Sequence, residues 1–374
     1  MRILFLFIPV TRGQLNGRQR EIPGTSMKPS HTLPTLALGI ALLAGCRSAP
    51  ESTRIPAIVF ARGEVGERSY HLQPASGEQP PQPLAVPRST GNLQTAPRAA
   101  VMAATVGGGI PGIATLQLLP VGAITSGAPI LATEWAWDFA LHEAGGAIAW
   151  VAGREERQLF VARAPAWKPV AVALPAGISP GEPRWLDDRR LLLVLRQAGH
   201  SELVQLTPES GELNLVYRAT DDATLADACR VPESEDVLVV ETPAAAGPGR
   251  LLRVTSAGGE PRVLATGFFL PGSVVVSRDG RFLAAVWSES LASVQKHEAA
   301  LRWIGDAWRG ARAAIPGVTS LAWSPDGAQL AVARQRDGRR WIEVYADGAV
   351  ESPPRRIGFE DAACFAPQWW QPGR

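Results

Sequence analysis

The sequence has few of the residues that mark nucleic-acid-binding or metal-binding proteins. Its 374 residues include three lysines, five histidines and three cysteines. Before Cys46 there are five basic residues and one acid, a charge of +4, so the whole-chain value of +2 leaves about −2 for the remainder. Because no basic tract remains, we expect no nucleic-acid binding. No histidine has ligand spacing to another histidine or to a cysteine, so we expect no histidine metal site.

Catalytic motifs are also absent from the sequence. There is no GxSxG nucleophile elbow, and Ser293–Lys296, which matches SxxK, lies between two predicted strands without partner motifs. The run Gly107–Gly109 lies in a predicted hairpin loop and is not followed by a helix start, as a phosphate loop would be. We therefore name no catalytic residue and predict that the protein is not an enzyme.

The first 46 residues have the pattern of an export signal. Met27 and Lys28 precede an apolar run, Leu33–Leu43, that is too short to span a bilayer. The tetrapeptide Leu43–Cys46, which begins at the last residue of this run, reads LAGC and resembles the bacterial lipobox, in which the cysteine thiol receives a diacylglycerol. The resemblance implies a signal peptide that starts at Met27 and a lipid attached to Cys46.

The residue after the cysteine predicts which membrane holds the lipoprotein. By analogy with bacterial lipoproteins, Arg47 in place of aspartate implies the periplasmic face of the outer membrane. Residues 47–53 then form a short tether, which reaches about 3.5 Å per residue at most. We expect the folded part, residues 54–374, to lie close to the membrane.

A hairpin pattern recurs along this part of the chain. Its clearest copy is Leu321–Gly338, LAWSPDGAQLAVARQRDG, where two apolar strands flank an SPDG turn. Equivalent strand ends recur at spacings of 44, 46, 45, 47 and 47 residues, at Leu141, Trp185, Val231, Val276, Trp323 and Trp370. A period of this size, with four strand-like runs per unit, predicts the blades of a β-propeller. The fold class is therefore all-β.

The individual strands of the clearest unit can also be predicted. They are Ser320–Trp323, Gln329–Ala333, Trp341–Tyr345 and Ala349–Arg355. The second strand of each unit is apolar almost without alternation, which predicts burial on both faces between neighbouring blades.

Cys229 and Cys364 lie at different positions along their strands, in blades that are not neighbours. The two cysteines are therefore too far apart for a disulfide, and we expect two reduced thiols.

The two ends of the folded part predict how the ring closes. Residues 54–61 form a second strand without a first, whereas Trp370 ends a first strand without a second. We expect these strands to pair in one blade, so that no sheet edge is left open. Residues 51–374 divided by the period fit seven blades, and six blades are the alternative.

The SPDG turn between an aromatic-ended strand and an apolar strand resembles the WD40-like repeats of TolB-type propellers. The resemblance is close at Leu321–Gly338, fair at Val274–Trp287, and extends as a pattern over residues 54–374. It implies a periplasmic propeller that binds proteins, with a partner in the envelope or periplasm. The propeller is expected to be a monomer.

The charged residues predict an acidic channel mouth inside a more basic rim. The loops entering the innermost strands hold Glu134, Glu182, Asp221, Asp222, Asp227, Glu360 and Asp361, and another such loop holds Phe268 and Phe269. The outer loops are more basic, with Arg334, Arg336, Arg339 and Arg340. We predict a mouth that receives a cationic group of a partner protein, or a Ca²⁺ held by the carboxylates. A propeller enzyme of the lactonase or lyase kind is the alternative, which converging histidine, arginine or tyrosine side chains would favour.

Overall fold

Every regular element in the described part of the chain is a β-strand. The computed structural model describes residues 56–63, 68–87, 89–96, 101–107, 114–120, 129–197, 199–245, 247–255, 259–269, 274–290, 300–304, 311–346 and 352–371. Cys46, the signal peptide, the tether and the SxxK segment lie outside these residues. Within them, no helix is long and apolar enough to cross a bilayer.

The strands are short, and glycine, proline and aspartate occur in the turns between them. The first fourteen are β1 Ala57–Arg62, β2 Ser69–Pro74, β3 Gln82–Pro83, β4 Thr90–Thr95, β5 Val101–Val106, β6 Ala114–Pro120, β7 Leu131–Leu141, β8 Ala147–Ala152, β9 Gln158–Arg163, β10 Val170–Val172, β11 Ser179–Trp185, β12 Leu191–Gln197, β13 His200–Thr207 and β14 Glu212–Arg218. The other thirteen are β15 Ala223–Arg230, β16 Asp236–Pro243, β17 Gly249–Thr255, β18 Arg262–Phe269, β19 Val275–Val276, β20 Leu283–Ser288, β21 Ala300–Ile304, β22 Ala311–Pro316, β23 Val318–Trp323, β24 Gln329–Arg336, β25 Arg339–Ala346, β26 Arg355–Ile357 and β27 Cys364–Trp370.

Hydrogen bonding joins these strands into antiparallel sheets in a propeller-like arrangement. Three sheets have four strands, in the orders β27-β1-β2-β3, β11-β12-β13-β14 and β23-β24-β25-β26. The strands β4–β10 form a seven-stranded sheet, and β15–β22 form an eight-stranded one in which β19 pairs with β20 beside the main path. In each of these longer sheets, one strand changes its pairing partner along its length. The first part of β7 pairs with β6 and the rest pairs with β8, and β18 likewise pairs first with β17 and then with β20.

The two ends of the described chain meet in one sheet, as the sequence predicts. β1 pairs with β27, and Ile58 lies opposite Trp369 in this register. The other edge of β1 pairs with β2, so the N-terminal strand is hydrogen-bonded on both sides. The strand that completes this sheet therefore comes from the far end of the sequence.

The second strand of each unit forms the core, and this prediction is confirmed. The runs in β1, β8, β12, β16, β20 and β24 each bury at least four consecutive residues. Ile58 and Phe60 in β1 have no exposed surface. Burying each of these side chains stabilises the fold by about 2 kcal/mol. Continuous burial requires a neighbouring sheet on each face, which the propeller arrangement supplies.

In the clearest unit, three of the four predicted strands agree with β23, β24 and β25 to within a few residues. The fourth differs, because β26 begins only at Arg355 and ends at Ile357. Pro353 and Pro354 precede it, and proline cannot donate to a strand ladder. Residues 352–354 therefore precede the strand, and residues 349–351 lie outside the described part of the chain.

The serine–aspartate–glycine turns have the same hydrogen bonds in two units. Ser324 Oγ donates to Asp326 Oδ1 at 2.5 Å and accepts from Gln329 N at 2.8 Å. Ser277 makes the equivalent bonds with Asp279 at 2.6 Å and with Phe282 N at 2.9 Å. In the first turn, Gly327 adopts φ 76°, and a Cβ there would lie 3.1 Å from Arg278 N of the neighbouring turn. Glycine is required by both the backbone angle and this close approach.

Neighbouring sheets are joined by hydrogen bonds that repeat with the predicted period. Trp185 Nε1 donates to Ala140 O at 3.0 Å, and Trp369 Nε1 donates to Ala322 O at 2.8 Å. Comparable bonds are Arg230 Nη1 to Leu186 O and Arg278 Nη1 to Pro325 O, and within the seven-stranded sheet Gln94 Nε2 on β4 donates in the same way to Phe139 O on β7. Each of these bonds joins residues 44 to 47 positions apart. The sequence period is thus the distance along the chain from one sheet to the next.

Candidate functional site: the central cavity

The innermost strands enclose a cavity of about 550 Å³. Its walls come mainly from β4, β7, β11, β15 and β27, with further residues on or beside β1 and β2. Its charged lining residues are Arg68, Asp138, Glu182, Arg184 and Asp227. Its polar and aromatic lining includes Tyr70, Asn92, Gln94, Trp137 and Gln368. The centre of the molecule is therefore a polar, charged space.

β-Bulges shape this cavity. Each of six pairs between an innermost strand and the next strand contains a register shift: β27–β1, β4–β5, β7–β8, β11–β12, β15–β16 and β23–β24. A bulge turns side chains out of the ladder and is common beside active sites. Glu182 and Ala366 occupy two of these bulges with φ of 53° and 50°, and both line the cavity. Such a backbone costs about 1 kcal/mol for each residue that is not glycine.

Glu182 is held at the cavity by a side chain from the neighbouring strand. Arg196 Nη2 donates to Glu182 Oε1 at 2.7 Å and to Leu225 O at 3.4 Å. Gly181 leaves room for this guanidinium, because a Cβ there would lie 2.4 Å from Arg196 Nη1. Glu182 Oε2 is buried and has no hydrogen-bond partner among the described residues. Burial raises the pKa of Glu182, an effect that the bond from Arg196 opposes.

Two further carboxylates line the same side of the cavity. Asp227 on β15 is 4% exposed, and its Oδ1 accepts from Ala228 N at 2.9 Å and lies 4.0 Å from Arg184 Nη2. Asp138 on β7 is partly buried. With Glu182 on β11, three innermost strands in chain order contribute one carboxylate each. We call this side, comprising Asp138, Glu182 and Asp227, the acidic wall.

A separate group of lining residues, on or beside β2 and β4, contains no acid. Arg68 Nη1 and Tyr70 Oη both donate to Gly91 O, at 3.0 Å and 2.7 Å. The guanidinium carbon of Arg68 lies 4.9 Å from the ring centroid of Phe365. Burial raises the pKa of Tyr70, so this phenol is protonated at neutral pH. We call this group, comprising Arg68, Tyr70 and Asn92, the basic wall.

The predicted mouth residues occupy three kinds of position. Glu182 and Asp227 line the cavity, but they stand on β11 and β15 rather than in loops, because the bulged strands extend further than expected. Glu134 is exposed and also lies on a strand, β7. The remaining acids are exposed in the loops before β15 and β27, as predicted: Asp221, Asp222, Glu360 and Asp361. Asp361 Oδ2 lies 4.0 Å from Arg62 Nη2.

Phe268 and Phe269 do not lie in an entering loop. They form the end of β18, where they pair with Ser288 and Trp287 of β20. Phe269 is 9% exposed, and its ring stacks on that of Trp287 with centroids 6.2 Å apart. The apolar ring is buried because the strand continues into the next sheet, so Phe269 packs in the core.

Sequence reasoning did not identify Arg68, Tyr70, Asp138 and Arg184 as cavity residues. A weak signal exists for the bulges, since Glu182-Pro183-Arg184-Trp185 has the same form as Ala366-Pro367-Gln368-Trp369. In both segments a residue with positive φ precedes a proline, a polar cavity residue and an inter-sheet tryptophan. The predicted basic rim is partly neutralised, because Arg334 Nη1 bonds to both Glu343 oxygens at 3.0 and 3.2 Å.

Metal and thiol chemistry find no support in the described part of the chain. No group of three or more histidine, cysteine, aspartate and glutamate residues there is arranged to hold a metal ion. Cys229 and Cys364 are free cysteines. Burial raises the pKa of both thiols, which keeps them protonated and unreactive at neutral pH.

The chain is similar in fold to several solved β-propellers. TolB from Acinetobacter baumannii aligns with 85% of this chain and 83% of its own, at 15% identity and a TM-score of 0.51. An oligogalacturonate lyase in complex with manganese aligns over 81% and 85%, at 12% identity and a TM-score of 0.55. The β-propeller domain of the Trilobed protease from Pyrococcus furiosus aligns over 72% and 85%, at 14% identity and a TM-score of 0.51. No protein-family model and no curated protein matches the sequence. The chain therefore shares its β-propeller fold with TolB, with a domain of a protease and with a lyase.

Proposed function

We propose that this protein is a binding protein of the bacterial envelope. In this proposal a lipid on Cys46 holds it at the periplasmic face of the outer membrane, and a segment of a partner protein enters the central cavity. The LAGC tetrapeptide supports the anchor, and the likeness to TolB agrees with a periplasmic propeller. The polar cavity at the centre of the sheets supports the binding site.

One observation carries the binding proposal. Side chains from five innermost strands converge on one cavity, and several of them are charged. Charged groups removed from water cost free energy unless they are paired, and a space serving only to join sheets would be filled by apolar side chains. Strained bulges place Glu182 and Ala366 at this space. Both features are expected where a ligand binds.

We further propose that the propeller has seven blades. The pairing of β7 and β18 with two neighbours each supports this number, since both strands change partners along their length. If β7 and β18 are each divided where the partner changes, the five sheets separate into seven groups, and each group is four strands wide. A six-bladed ring would leave one of these groups without a place.

The anchor is tested by two substitutions with opposite expected effects. Cys46→Ser should remove incorporation of a labelled fatty acid and release the protein from the membrane fraction. Arg47→Asp should retain the lipid but move the protein to the inner membrane. Fractionation of labelled cells reads out both results. A wild-type protein that incorporates no label would refute the anchor.

The binding site is tested by photo-crosslinking in intact cells. A photoreactive phenylalanine in place of Asn92, an exposed residue at the cavity, should capture a partner. The same group in place of Leu215, 53% exposed on β14 at the outer edge of its sheet, is the control. We expect the Asn92 adduct alone to disappear when Glu182→Gln and Asp227→Asn are added. Equal capture from both positions, or no capture from Asn92, would refute a partner in the cavity.

A propeller enzyme of the lactonase or lyase kind is a second candidate. The observation in its favour is that Arg68, Tyr70 and Arg184 share the cavity with the carboxylates. Such a group contains acids and bases that are able to act on a small substrate. Turnover of lactones or uronate oligomers by the purified protein, abolished by Glu182→Gln with Asp227→Asn, would favour the enzyme over the binding protein.

A further inference from the structure

We propose that the group bound in the central cavity is zwitterionic, with a cationic end against the acidic wall and a carboxylate against Arg68. This inference rests on the proposed function, since it takes the cavity as the binding site. It goes further by naming the chemical class of the ligand, either as a small molecule or as part of a protein segment. The charge distribution of the two walls carries the argument.

The acidic wall has a hydrogen-bond acceptor in need of a donor. Glu182 Oε1 accepts from Arg196, whereas Oε2 is buried and has no hydrogen-bond partner among the residues described. A buried acceptor without a donor costs free energy, and a bound donor removes that cost. Arg196 holds the other oxygen, Oε1, at 2.7 Å, and binding a donor at Oε2 requires the Glu182 side chain to rotate toward the cavity. Arg196 is thus a positioning residue for Glu182.

The charges on this wall favour a cation as that donor. Its carboxylates are three, Asp138, Glu182 and Asp227, and its guanidinium groups are two, Arg184 and Arg196. One negative charge remains when these groups are counted together. An ammonium or guanidinium group would balance it and make charge-assisted hydrogen bonds, which are stronger than neutral ones.

The basic wall offers the complementary group. Arg68 is fixed by its bond to Gly91 O and by its contact with the ring of Phe365. Its Nε is buried and, within the described residues, has no hydrogen-bond acceptor. Tyr70 Oη donates to the same carbonyl as Arg68. Arg68 is the only cation among the described residues of this wall. A planar guanidinium held in place is well suited to a carboxylate.

The two walls together exclude ligands of a single charge sign as the best fit. A ligand with only cationic groups would place one of them beside Arg68, and a ligand with only anionic groups would place one beside the acidic wall. Like charges at such positions are unfavourable in a cavity from which water is partly excluded. A neutral ligand would leave the extra negative charge unbalanced. A zwitterion satisfies both walls at once.

The experiment compares five small probes on the full-length protein in detergent. Three are zwitterions of increasing length: 4-aminobutanoate, 6-aminohexanoate and 8-aminooctanoate. Two carry one of the charges alone: hexylamine and hexanoate. Ligand-observed NMR measures the dissociation constants. Because a second charge-assisted contact is gained, the best zwitterion should bind at least about tenfold more tightly than either single-charge probe.

Two variants assign the two ends of the probe. Arg68→Gln should bring the best zwitterion down to the affinity of hexylamine, and Glu182→Gln should bring it down to that of hexanoate. Arg218→Gln, at an exposed arginine on β14, is the control and should change neither ratio. The comparison is made between probes on one protein, so a partly unfolded variant lowers all affinities without changing their ratios.

Three results would overturn the proposal: a single-charge probe that binds as tightly as the best zwitterion, variants that leave the ratios unchanged, or no binding of any zwitterion at about 10 mM. Crosslinking from Asn92 separates this failure from that of the proposed function. Capture of a partner without zwitterion binding would refute the charge class alone. Zwitterion binding without capture would refute the protein partner while the cavity remains a binding site.

Discussion

At the scale of single residues, the buried acids divide into those that are fully hydrogen-bonded and those at the cavity. Glu241 is 1% exposed and accepts from Thr220 N, Thr220 Oγ1, Tyr217 Oη and Arg250 Nη2 at 2.6–3.0 Å. Burial tends to raise the pKa of Glu241, but these bonds outweigh it and lower the pKa. Glu182, whose Oε2 is unsatisfied within the described residues, shows the opposite shift. The first arrangement stabilises the fold and the second suits a binding site.

The lowered pKa values predict the pH dependence of stability. Glu343 resembles Glu241. Burial tends to raise the pKa of Glu343, but the hydrogen bonds from Trp341, Tyr345 and Arg334 outweigh burial, so the pKa is lowered overall. A carboxyl with a folded pKa below its unfolded value contributes stability that is fully present above the unfolded pKa and is lost as the pH falls through the folded pKa. We therefore expect the free energy of unfolding, measured in urea, to fall from about pH 4.5 downwards.

The control for this prediction is the double variant Glu241→Gln with Glu343→Gln, in which neither side chain titrates. Its stability below pH 4.5 should fall less steeply than that of the wild type. Parallel curves for the two proteins would show that these carboxyls do not cause the loss.

Glu241→Gln also tests the hydrogen-bonded acid at neutral pH. The amide accepts fewer hydrogen bonds than the carboxylate and removes the charge that Arg250 faces at 2.6 Å. Because the Arg250 side chain is 41% exposed, water compensates part of this loss. We expect the free energy of unfolding to fall by about 2 kcal/mol. Glu212→Gln, at an exposed position on β14, should change it by less than about 0.5 kcal/mol.

At the scale of elements, the serine–aspartate–glycine turns connect the first and second strands of two units. Asp326 Oδ1 accepts from Ser324 Oγ at 2.5 Å and from Ala328 N at 3.0 Å. Asp326→Ala removes both hydrogen bonds, and we expect a loss of about 1–2 kcal/mol in chemical denaturation. Asp221→Ala, at an exposed loop acid, is the control. An equal effect of the two substitutions would show that the turn bonds are not specifically stabilising.

The inter-sheet tryptophans form the next level of contact. Trp369 is 2% exposed and donates through Nε1 to Ala322 O of the neighbouring sheet. Trp369→Phe deletes the donor and leaves a small cavity, so we expect a loss of about 2–3 kcal/mol in the urea unfolding free energy. Trp135→Phe, where the ring is partly exposed, should cost less. A smaller loss at Trp369 than at Trp135 would contradict this role.

At the scale of the whole molecule, stability depends on the pairing of the chain ends. β27 covers one edge of β1, and Ile58 and Phe60 of β1 are completely buried. A chain ending at Ala363 lacks β27 and should expose this core, with loss of a single cooperative thermal transition. A chain ending at Gln371 retains all of β27 and should unfold like the wild type. Identical melting of the two chains would contradict closure through this sheet.

Much of this architecture follows from the amino-acid sequence because it depends on local chemistry. The apolar second strands predict burial on both faces, as in Leu191–Leu195, and the serine–aspartate–glycine turns mark where these strands begin. The spacing of 44–47 residues then predicts the repeat, since each unit must supply the same set of strands. The pairing of β1 with β27 follows as well, because one edge of β1 and the strand β27 lack partners nearby in sequence.

The composition of the cavity was harder to predict. Arg68 lies beside β2, yet its guanidinium reaches Gly91 O on β4, the innermost strand of a different set. Asp138 and Asp227 face the cavity because bulges change the register of their strands. A one-residue change of register exchanges the two faces of a strand, and sequence patterns do not reveal it. The same limitation explains why the sequence pattern predicts a loop at Phe269, although β18 continues through this residue.

The sequence by itself thus determined the strands, the turns and the repeat, because hydrophobic periodicity and turn chemistry act over a few residues. Only the tertiary structure decided which charged side chains meet. Tens of residues separate Arg68, Asp138, Glu182 and Asp227 along the chain. The bulges direct the three acids toward the cavity, and the arrangement of the sheets brings all four residues together. Both features are properties of the assembled sheets. A cavity lined by residues of several repeats becomes visible only when the repeats are placed around a common centre.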